Sequence, residues 1–342
     1  MSAHDMPMSG SVDMTHGGGG RAMAELIRTL FNKHFSNPIL DQGNDGALMS
    51  LPPGRVVIST DGHVISPLFF PGGDIGALSI NGTVNDVAMM GARPLYVAVG
   101  FILEEGFPMA DLERIVVSMA SAAKAAGVTI VTGDTKVVEK GKGDGVFITT
   151  TGIGVVPEGV ETSGSKARPG QAVLVSGTMG DHGVAILSKR ESLEFETEIV
   201  SDCAALNGLI ADMLAAVPGV TTLRDPTRGG LAATLNEIAR ASHVGMMLDE
   251  DAIPVRPDVH AACELLGLDA LYVANEGKLI CICENHDAET LLAVMRAHPL
   301  GRDAARIGTV IEDAAHLIQM RTGFGGTRVV DWIAGEQLPR IC

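Results

Sequence analysis

The sequence is poor in aromatic residues. Phe, Trp and Tyr make up 4% of its 342 residues, with one tryptophan, Trp332. So few rings exclude the stacking platforms that hold single-stranded nucleic acid. Net positive charge is missing too: the formal charge is −16, which argues against any phosphate-backbone partner. An anionic ligand must therefore be held by local cations or by metal ions. Cysteines are few and odd in number (Cys203, Cys263, Cys281, Cys283 and Cys342), which excludes the disulfide framework of a secreted scaffold. No apolar run reaches membrane-spanning length, and the N-terminus has no basic-then-apolar signal pattern. A reducing cytoplasmic setting with no membrane partner is the expectation. Walker A and protein-kinase signatures are both absent, so an ATP site here is of another kind.

What is present is a chain built to bury large cores. Hydrophobic residues make up 46% and charged residues 19%, and the length predicts two domains of comparable size. Residues 1–20 are polar and end in four glycines, which predicts a flexible arm. Apolar periodicity predicts helices over 22–34, 75–90 and 109–126, with strands over 55–60, 94–103, 128–132 and 146–156. A polar loop over 157–169, rich in Gly, Ser and Pro, marks the boundary, giving domains at 21–160 and 168–334. The second half repeats the style, with strands at 172–176, near 245–248, 278–284, 306–311 and 328–332. Its helices fall near 181–189, 202–216, 229–241 and 287–297. Long helices do not follow every strand, so the pattern predicts an α+β protein: two mixed or antiparallel sheets with helices on one face, not a Rossmann sheet. A flexible tail, 335–342, ends in Pro339-Arg340-Ile341-Cys342.

Carboxylates recur at the ends of apolar segments in the first domain: Asp45, Asp61, Asp74, Asp86 and Asp134. Oxygen donors in such settings suit magnesium, and magnesium neutralises polyphosphate, which lets an acidic protein bind ATP. Any one of them is also an ordinary cap or turn residue. Asn81 and Asn85 lie one helical turn apart beside Asp86, a polar stripe that faces solvent, an interface or a ligand, with a ligand favoured. Thr135 and Lys136 follow Asp134, and a lysine there serves as phosphate contact, as general acid or base, or as a surface residue of a turn. In the second domain Asn275-Glu276-Gly277 places a carboxylate at a tight turn. Asp225-Pro-Thr-Arg-Gly-Gly230 opens a helix whose N-terminus can bind anions. Cys281 and Cys283 share one face of a strand, with no Cys-x-x-Cys or histidine pair to complete a metal site, and read as core residues. A terminal thiol on Cys342 is either a frayed end or a reactive group on a mobile arm.

Taken together, Ser59-Thr-Asp-Gly-His, Phe70-Pro-Gly-Gly-Asp-Ile-Gly, Asn81-Gly-Thr-Val-Asn-Asp, Thr132-Gly-Asp-Thr-Lys-Val-Val, Asp225-Pro-Thr-Arg-Gly-Gly, Asn275-Glu-Gly-Lys and Pro339-Arg-Ile-Cys resemble the HypE family of hydrogenase-maturation carbamoyl dehydratases. The resemblance runs from about residue 17 to the end. It extends to the superfamily of aminoimidazole ribonucleotide synthetase, selenophosphate synthetase and thiamine-monophosphate kinase, and implies their two-domain fold. The aspartate motifs are shared across that superfamily; the terminal Pro-Arg-Ile-Cys is the specific element. It implies that Cys342 receives a carbamoyl group from a carbamoyltransferase partner, and that ATP drives its dehydration to a thiocyanate. An iron-carrying hydrogenase-maturation scaffold then accepts the cyanide.

By the same resemblance Asp61, Asp86 and Asp134 hold magnesium and ATP, with Asp45, Asp74, Asn81, Asn85 and Thr135 in the nucleotide site. Lys136 and Glu276 occupy positions that handle protons, and the chain forms a homodimer with ATP near the subunit interface. Eight residues from Gly335 reach about 25 Å at ~3.3 Å each, enough for the tail to swing inward and out. The enzymatic alternatives are a selenophosphate synthetase, which normally bears its reactive residue near the N-terminus, or a small-molecule kinase. The non-enzymatic alternative is a docking scaffold. Separately, loss of Met1 would leave Ser2-Ala3-His4, a nitrogen set suited to Cu(II) or Ni(II), or an incidental histidine in the arm.

Overall fold

In the computed structural model, residues 8–192, 198–332 and 340–341 are described. Ser2-Ala3-His4 and Cys342 lie outside them.

The first half opens with α1 (Arg21–Leu26), a π turn over Ile27–Phe31 and α2 (Asn32–Phe35). Strand β1 (Arg55–His63), a short hairpin of β2 (Phe69–Phe70) and β3 (Gly73–Asp74), helix α3 (Ile75–Met89) and β4 (Arg93–Glu104) follow. Then come α4 (Met109–Ala126), β5 (Thr129–Val138) and β6 (Val146–Val156). The four long strands form one mixed sheet in the order β1-β6-β4-β5, antiparallel except for β4 with β5. Helices α3 and α4 cover one face of it. On α4 the residues Leu112, Ile115, Val116 and Met119 recur at helical spacing and are all buried, as the periodicity requires. On β1, the side chains of Val56 and Ile58 are exposed, Ile58 by 67%.

In the second half, β7 (Ala172–Val175), α5 (Asp181–Arg190), α6 (Asn207–Ala216), β8 (Thr222–Arg224), α7 (Gly230–Ser242), β9 (Gly245–Asp249) and α8 (Pro257–Leu266) come first. They are followed by β10 (Ile280–Cys283), α9 (Ala288–Ala297), β11 (Ala305–Ile311), β12 (Ile318–Arg321) and β13 (Thr327–Val329). These strands form a seven-stranded mixed sheet, β13-β12-β9-β11-β7-β10-β8. Its central strands are buried on both faces, beyond the one-sided cover expected. Leu174, Cys281 and Cys283 pack with α6 and α9, while Val173, Val175, Ile280 and Ile282 pack with α7. The paired cysteines are core residues.

Helix α3 is the seam. Leu78, Ile80 and Val84 join the first core, and Val87, Ala88 and Met89 join the second beside Leu206 and Leu209. Full burial of a Leu, Ile, Val or Met side chain contributes about 1.5–3 kcal/mol, so the two halves are welded along this helix.

Three expectations change. Residues 8–20 are laid against the body: Val12 is 1% exposed, its N–H donates to Phe107 O and its carbonyl accepts from Gly106. Strand β5 runs through Gly133-Asp134-Thr135-Lys136, because all four residues stay in register with β4. At the other end Arg340 and Ile341 are docked, Ile341 pairing with Ile65 and burying its side chain.

Candidate active site

A cleft of about 540 Å³ opens where β1 and α3 meet the second half. Its first wall carries Ser59, Asp61 and His63 from β1, with Gly82 and Asp86 from α3. The opposite wall carries Arg224, Asp225, Thr227 and Arg228, and Glu276 lies at its side.

The two carboxylates of the first wall are held by hydroxyls. Ser59 Oγ donates to Asp86 Oδ2 at 2.6 Å, and Thr83 Oγ1 donates to Asp61 Oδ2 at 2.8 Å. Burial, reinforced by the neighbouring Asp61 charge, raises the Asp86 pKa. Beneath them, His63 is 5% exposed and lies 3.1 Å from Thr150 Oγ1. Desolvation drops its pKa to about 4, so the ring is neutral at physiological pH.

The second wall is shaped by backbone. Asn275 ties it together: its Oδ1 accepts from Gly180, and its Nδ2 donates to Pro226 O at 3.0 Å and Val273 O at 3.1 Å. Gly230 has φ +62°, and a Cβ there would meet the carbonyls of Val273 and Leu271 within 2.7 Å, so glycine is required. Burial and the nearby Asp86 push Asp225 up to about 7. Arg224 pairs with Glu237 at 2.5 Å.

Glu276 is 4% exposed, and its Oε1 is a buried acceptor with no partner. Burial first, then Asp225, Asp202 and Asp61, raise its pKa well above the ordinary carboxylate value. Its N–H donates to Asp202 Oδ1 at 3.0 Å. At Gly277 a Cβ would strike the Asp202 carbonyl, so the turn requires glycine. Lys278 Nζ lies 3.2 Å from Asp202 and 3.5 Å from Asp181, balancing that buried pair of acids.

Of the residues singled out in the sequence, the fold therefore gathers Asp61, Asp86 and Glu276 in one cleft. Others lie elsewhere. Asp74 caps α3, accepting from Gly76 at 2.8 Å and Ala77 at 3.0 Å. Asp45 sits exposed in the loop before β1. The stripe of Asn81 and Asn85 is buried against the second half. Asn85 Oδ1 accepts from Leu206 at 2.7 Å, its Nδ2 donates to Ala204 O at 3.0 Å and Glu276 O at 3.3 Å, and Asn81 Nδ2 donates to Cys203 Sγ. Asn85, expected at a ligand, is an internal staple between the two halves.

Asp134 and Lys136 are on β5, paired with each other at 2.8 Å and each more than 60% exposed. Asp134 edges a smaller, apolar slot of about 120 Å³ lined by Phe31, Phe101 and Thr135. Asp61 and Asp134 stand in nearly one row across the sheet, through Thr150 and Gly100, but on opposite edge strands. Three strand spacings of ~4.8 Å separate them by about 14 Å. One protomer thus does not bring them to a common ion. Among the described residues no three His, Cys, Asp or Glu side chains form a ready metal cage. The donor set of Asp61, Asp86 and Asp225 nonetheless suits magnesium, which takes one or two carboxylates and fills its remaining positions with water and phosphate. The crowding of Asp86 and Asp225, which raises the pKa of each, is the kind a cation relieves.

The sequence reading missed His63, Arg224 and Arg228 as cleft residues, although His63 and Arg228 lie within motifs it singled out. Among the described residues no helix is long and apolar enough to cross a membrane.

Comparison with known proteins places these features. Residues 43–156 match the N-terminal domain of AIR synthase related proteins and residues 168–320 match their C-terminal domain. A "carbamoyl dehydratase HypE" of Cupriavidus necator is 71% identical over 335 residues, covering 98% of this chain and 95% of that protein. A crystal structure of hydrogenase maturation protein HypE in complex with ATP superposes with a TM-score of 0.93 at 52% identity, covering 96% of this chain and 99% of the other. HypE in a HypE–HypF complex superposes at 0.80 with 49% identity, covering 90% and 99%. With both halves matched and near-complete coverage at this identity, the chain belongs to the HypE family of carbamoyl dehydratases, within the AIR synthase related proteins.

Proposed function

We propose that the protein is a cytoplasmic, ATP-dependent carbamoyl dehydratase. Its substrate is an S-carbamoyl group carried on Cys342, and its product there is an S-cyano group, the source of cyanide for hydrogenase iron. The observation that carries the reading is the docked chain end. The carbonyl of Ile341, the residue before Cys342, is held by His182, whose other ring nitrogen meets Ser201, and Asp202 beside Ser201 accepts the N–H of buried Glu276.

In the net reaction the carbamoyl oxygen is phosphorylated by ATP and leaves as phosphate. The nitrogen loses two protons, and the carbon–nitrogen bond becomes triple. Magnesium, when bound through Asp61, Asp86 and Asp225, supplies charge neutralisation for the polyphosphate. Arg228 and Arg224 add positive charge on the facing wall. Glu276 takes a proton from the carbamoyl nitrogen, a role supported by its raised pKa, because such a carboxylate is a stronger base than an ordinary one.

Lys136 and Asp134 enter this cleft from a second copy of the chain. Strands β1 and β5 are the two edges of the first sheet, and β1 exposes Val56 and Ile58. A homodimer pairing these sheets covers that apolar row and carries Asp134 and Lys136 toward the partner's Asp61 and Asp86. A carbamoyltransferase loads Cys342 and an iron-carrying maturation scaffold takes the cyanide. Crystallisation of a 49% identical relative with HypF supports docking to another maturation protein.

ATP hydrolysis tests the reading. With a carbamoyl donor system, the wild-type protein is expected to hydrolyse ATP in step with loading, and Cys342→Ala to bind ATP without donor-dependent hydrolysis. Equal donor-dependent hydrolysis by both would remove Cys342 as carrier.

A further inference from the structure

We propose that His182 is a positioning residue for this reaction, gripping the Ile341 carbonyl and so seating the chain just before Cys342 through the same segment that holds the backbone of Glu276. The inference rests on Cys342 being the carrier. His182 lies in α5, fully buried, with its ring edge-on to Phe70 at 5.6 Å between centroids. Its Nε2 is 2.6 Å from the Ile341 carbonyl oxygen, and its Nδ1 is 2.8 Å from Ser201 Oγ.

The proton pattern follows from the partners. A carbonyl only accepts, so Nε2 carries the hydrogen. Nδ1 of the neutral ring then accepts from the Ser201 hydroxyl, and Ser201 Oγ accepts the Cys203 N–H at 3.1 Å. Desolvation lowers the ring's pKa and keeps it neutral. One relay therefore runs from Cys203 N–H through Ser201 and His182 to Ile341.

Other groups hold the preceding residue, Arg340. The Arg340 carbonyl accepts from Ser66 N–H at 3.2 Å and from Arg190 Nη2 at 2.8 Å, and the Arg340 guanidinium pairs with Asp144. Arg190 also holds the Ser66 carbonyl, from Nε at 2.9 Å and Nη2 at 2.7 Å. These grips fix the strand of Arg340 and Ile341. The bond from His182 acts on the next carbonyl, and because a peptide unit is planar, orienting that carbonyl sets the direction in which the chain leaves Ile341. Asp202, in the middle of the relay segment, accepts the Glu276 N–H. Ile341, through His182, and the backbone of Glu276, through Asp202, are thus tied to one three-residue stretch, and a shared anchor is what a precise approach demands.

The test compares wild type, His182→Gln and His182→Leu as full-length proteins. Glutamine sets an amide N–H where Nε2 stands; leucine fills the space without a donor. Each protein is loaded by the carbamoyltransferase, mixed with ATP, and followed through one turnover by mass, and hydrogen exchange of the Ser66 amide reports seating of Arg340 without reference to activity. Leucine is expected to slow conversion of loaded Cys342 about tenfold and to speed Ser66 exchange, with glutamine recovering most of both and ATP binding kept. If the leucine variant does not fold, Ser201→Ala is expected to slow conversion about threefold. Equal conversion and equal Ser66 exchange in the folded variants would overturn the positioning role. Failure of wild type to gain a carbamoyl group on Cys342 would overturn the carrier reading instead, leaving Ser66 exchange to decide whether His182 seats the tail.

Discussion

Two groups of charged side chains, one in the cleft between the halves and one on the edge of the first sheet, stand in opposite conditions. The cleft acids Asp86, Asp225 and Glu276 are crowded and desolvated, and every one has a raised pKa. Asp134 and Lys136, on the far edge strand, are exposed and satisfy each other; the lysine's hydrogen bond holds the Asp134 carboxyl below its ordinary range. The first group carries unfavourable electrostatics that a cation or a transferred proton relieves. The second is at ease and open to solvent. A structural explanation for the first is poor, because burying unrelieved carboxylates costs stability. For the second an ordinary surface ion pair explains the contact fully, and only the edge position of β5 gives it more.

The largest expected effect breaks the first group. Glu276→Gln keeps shape and removes the base, and is expected to lower dehydration about 10²–10⁴-fold, the usual range for a lost general base. Loading of Cys342 should persist, measured by mass; wild-type turnover would remove Glu276 from the chemistry.

Lys136→Ala is expected to slow dehydration about 10–100-fold while changing stability by no more than about 0.5 kcal/mol, since its ion pair is exposed. Mixing that variant with Glu276→Gln sharpens the comparison. Random reassortment of dimers that share sites between subunits restores roughly a quarter of wild-type activity, because half the dimers regain one intact site of two. Activity that stays at the level of the parents would place both residues in one protomer's site or in none.

The smallest effect is on stability. Asp225 is raised from 3.8 to about 7 when folded. Between those values the unfolded chain is ionised while the folded one resists ionisation, so stability falls as pH rises through about 4–7 and stays low above. Asp225→Asn abolishes that loss. After allowance for partial exposure and the neighbouring Arg224, the variant is expected to be about 1–2 kcal/mol more stable than wild type at pH 8 and equal to it at pH 4. Thermal or urea melts without nucleotide measure this, and a constant difference across pH would contradict the buried-acid account.

Much of the cleft was legible because its residues sit in short motifs whose backbone geometry demands them. Asp61 at a strand end, Asp86 on the seam helix, Asp225-Pro-Thr-Arg-Gly-Gly before α7 and Asn275-Glu-Gly at a turn could each be placed from local pattern. Other features depend on distant partners. Asn85 looks like a ligand residue until the backbone of 204–206 is folded against it. Strand β5 looked finished at Gly133 because Gly-Asp signals a turn, yet pairing with β4 carries it on to Val138. Helix α8 went unread although Pro257 at its start and Gly267 after its end are a recognisable pair of signals. Strands β8 and β12, three and four residues long, are too short for periodicity to show. His182 gives no local signal, because its carbonyl partner lies 159 residues away.

The central claim is that the chain end carries the substrate, and intact-mass measurement reaches it most directly. After incubation with a carbamoyl donor system, the protein is expected to gain about 43 Da on the Cys342 peptide, and after ATP is added that gain becomes about 25 Da, by replacement of the thiol hydrogen with carbamoyl and then cyano. A stable gain of 43 Da in the presence of ATP, or a modification that maps to any other cysteine, would contradict the account.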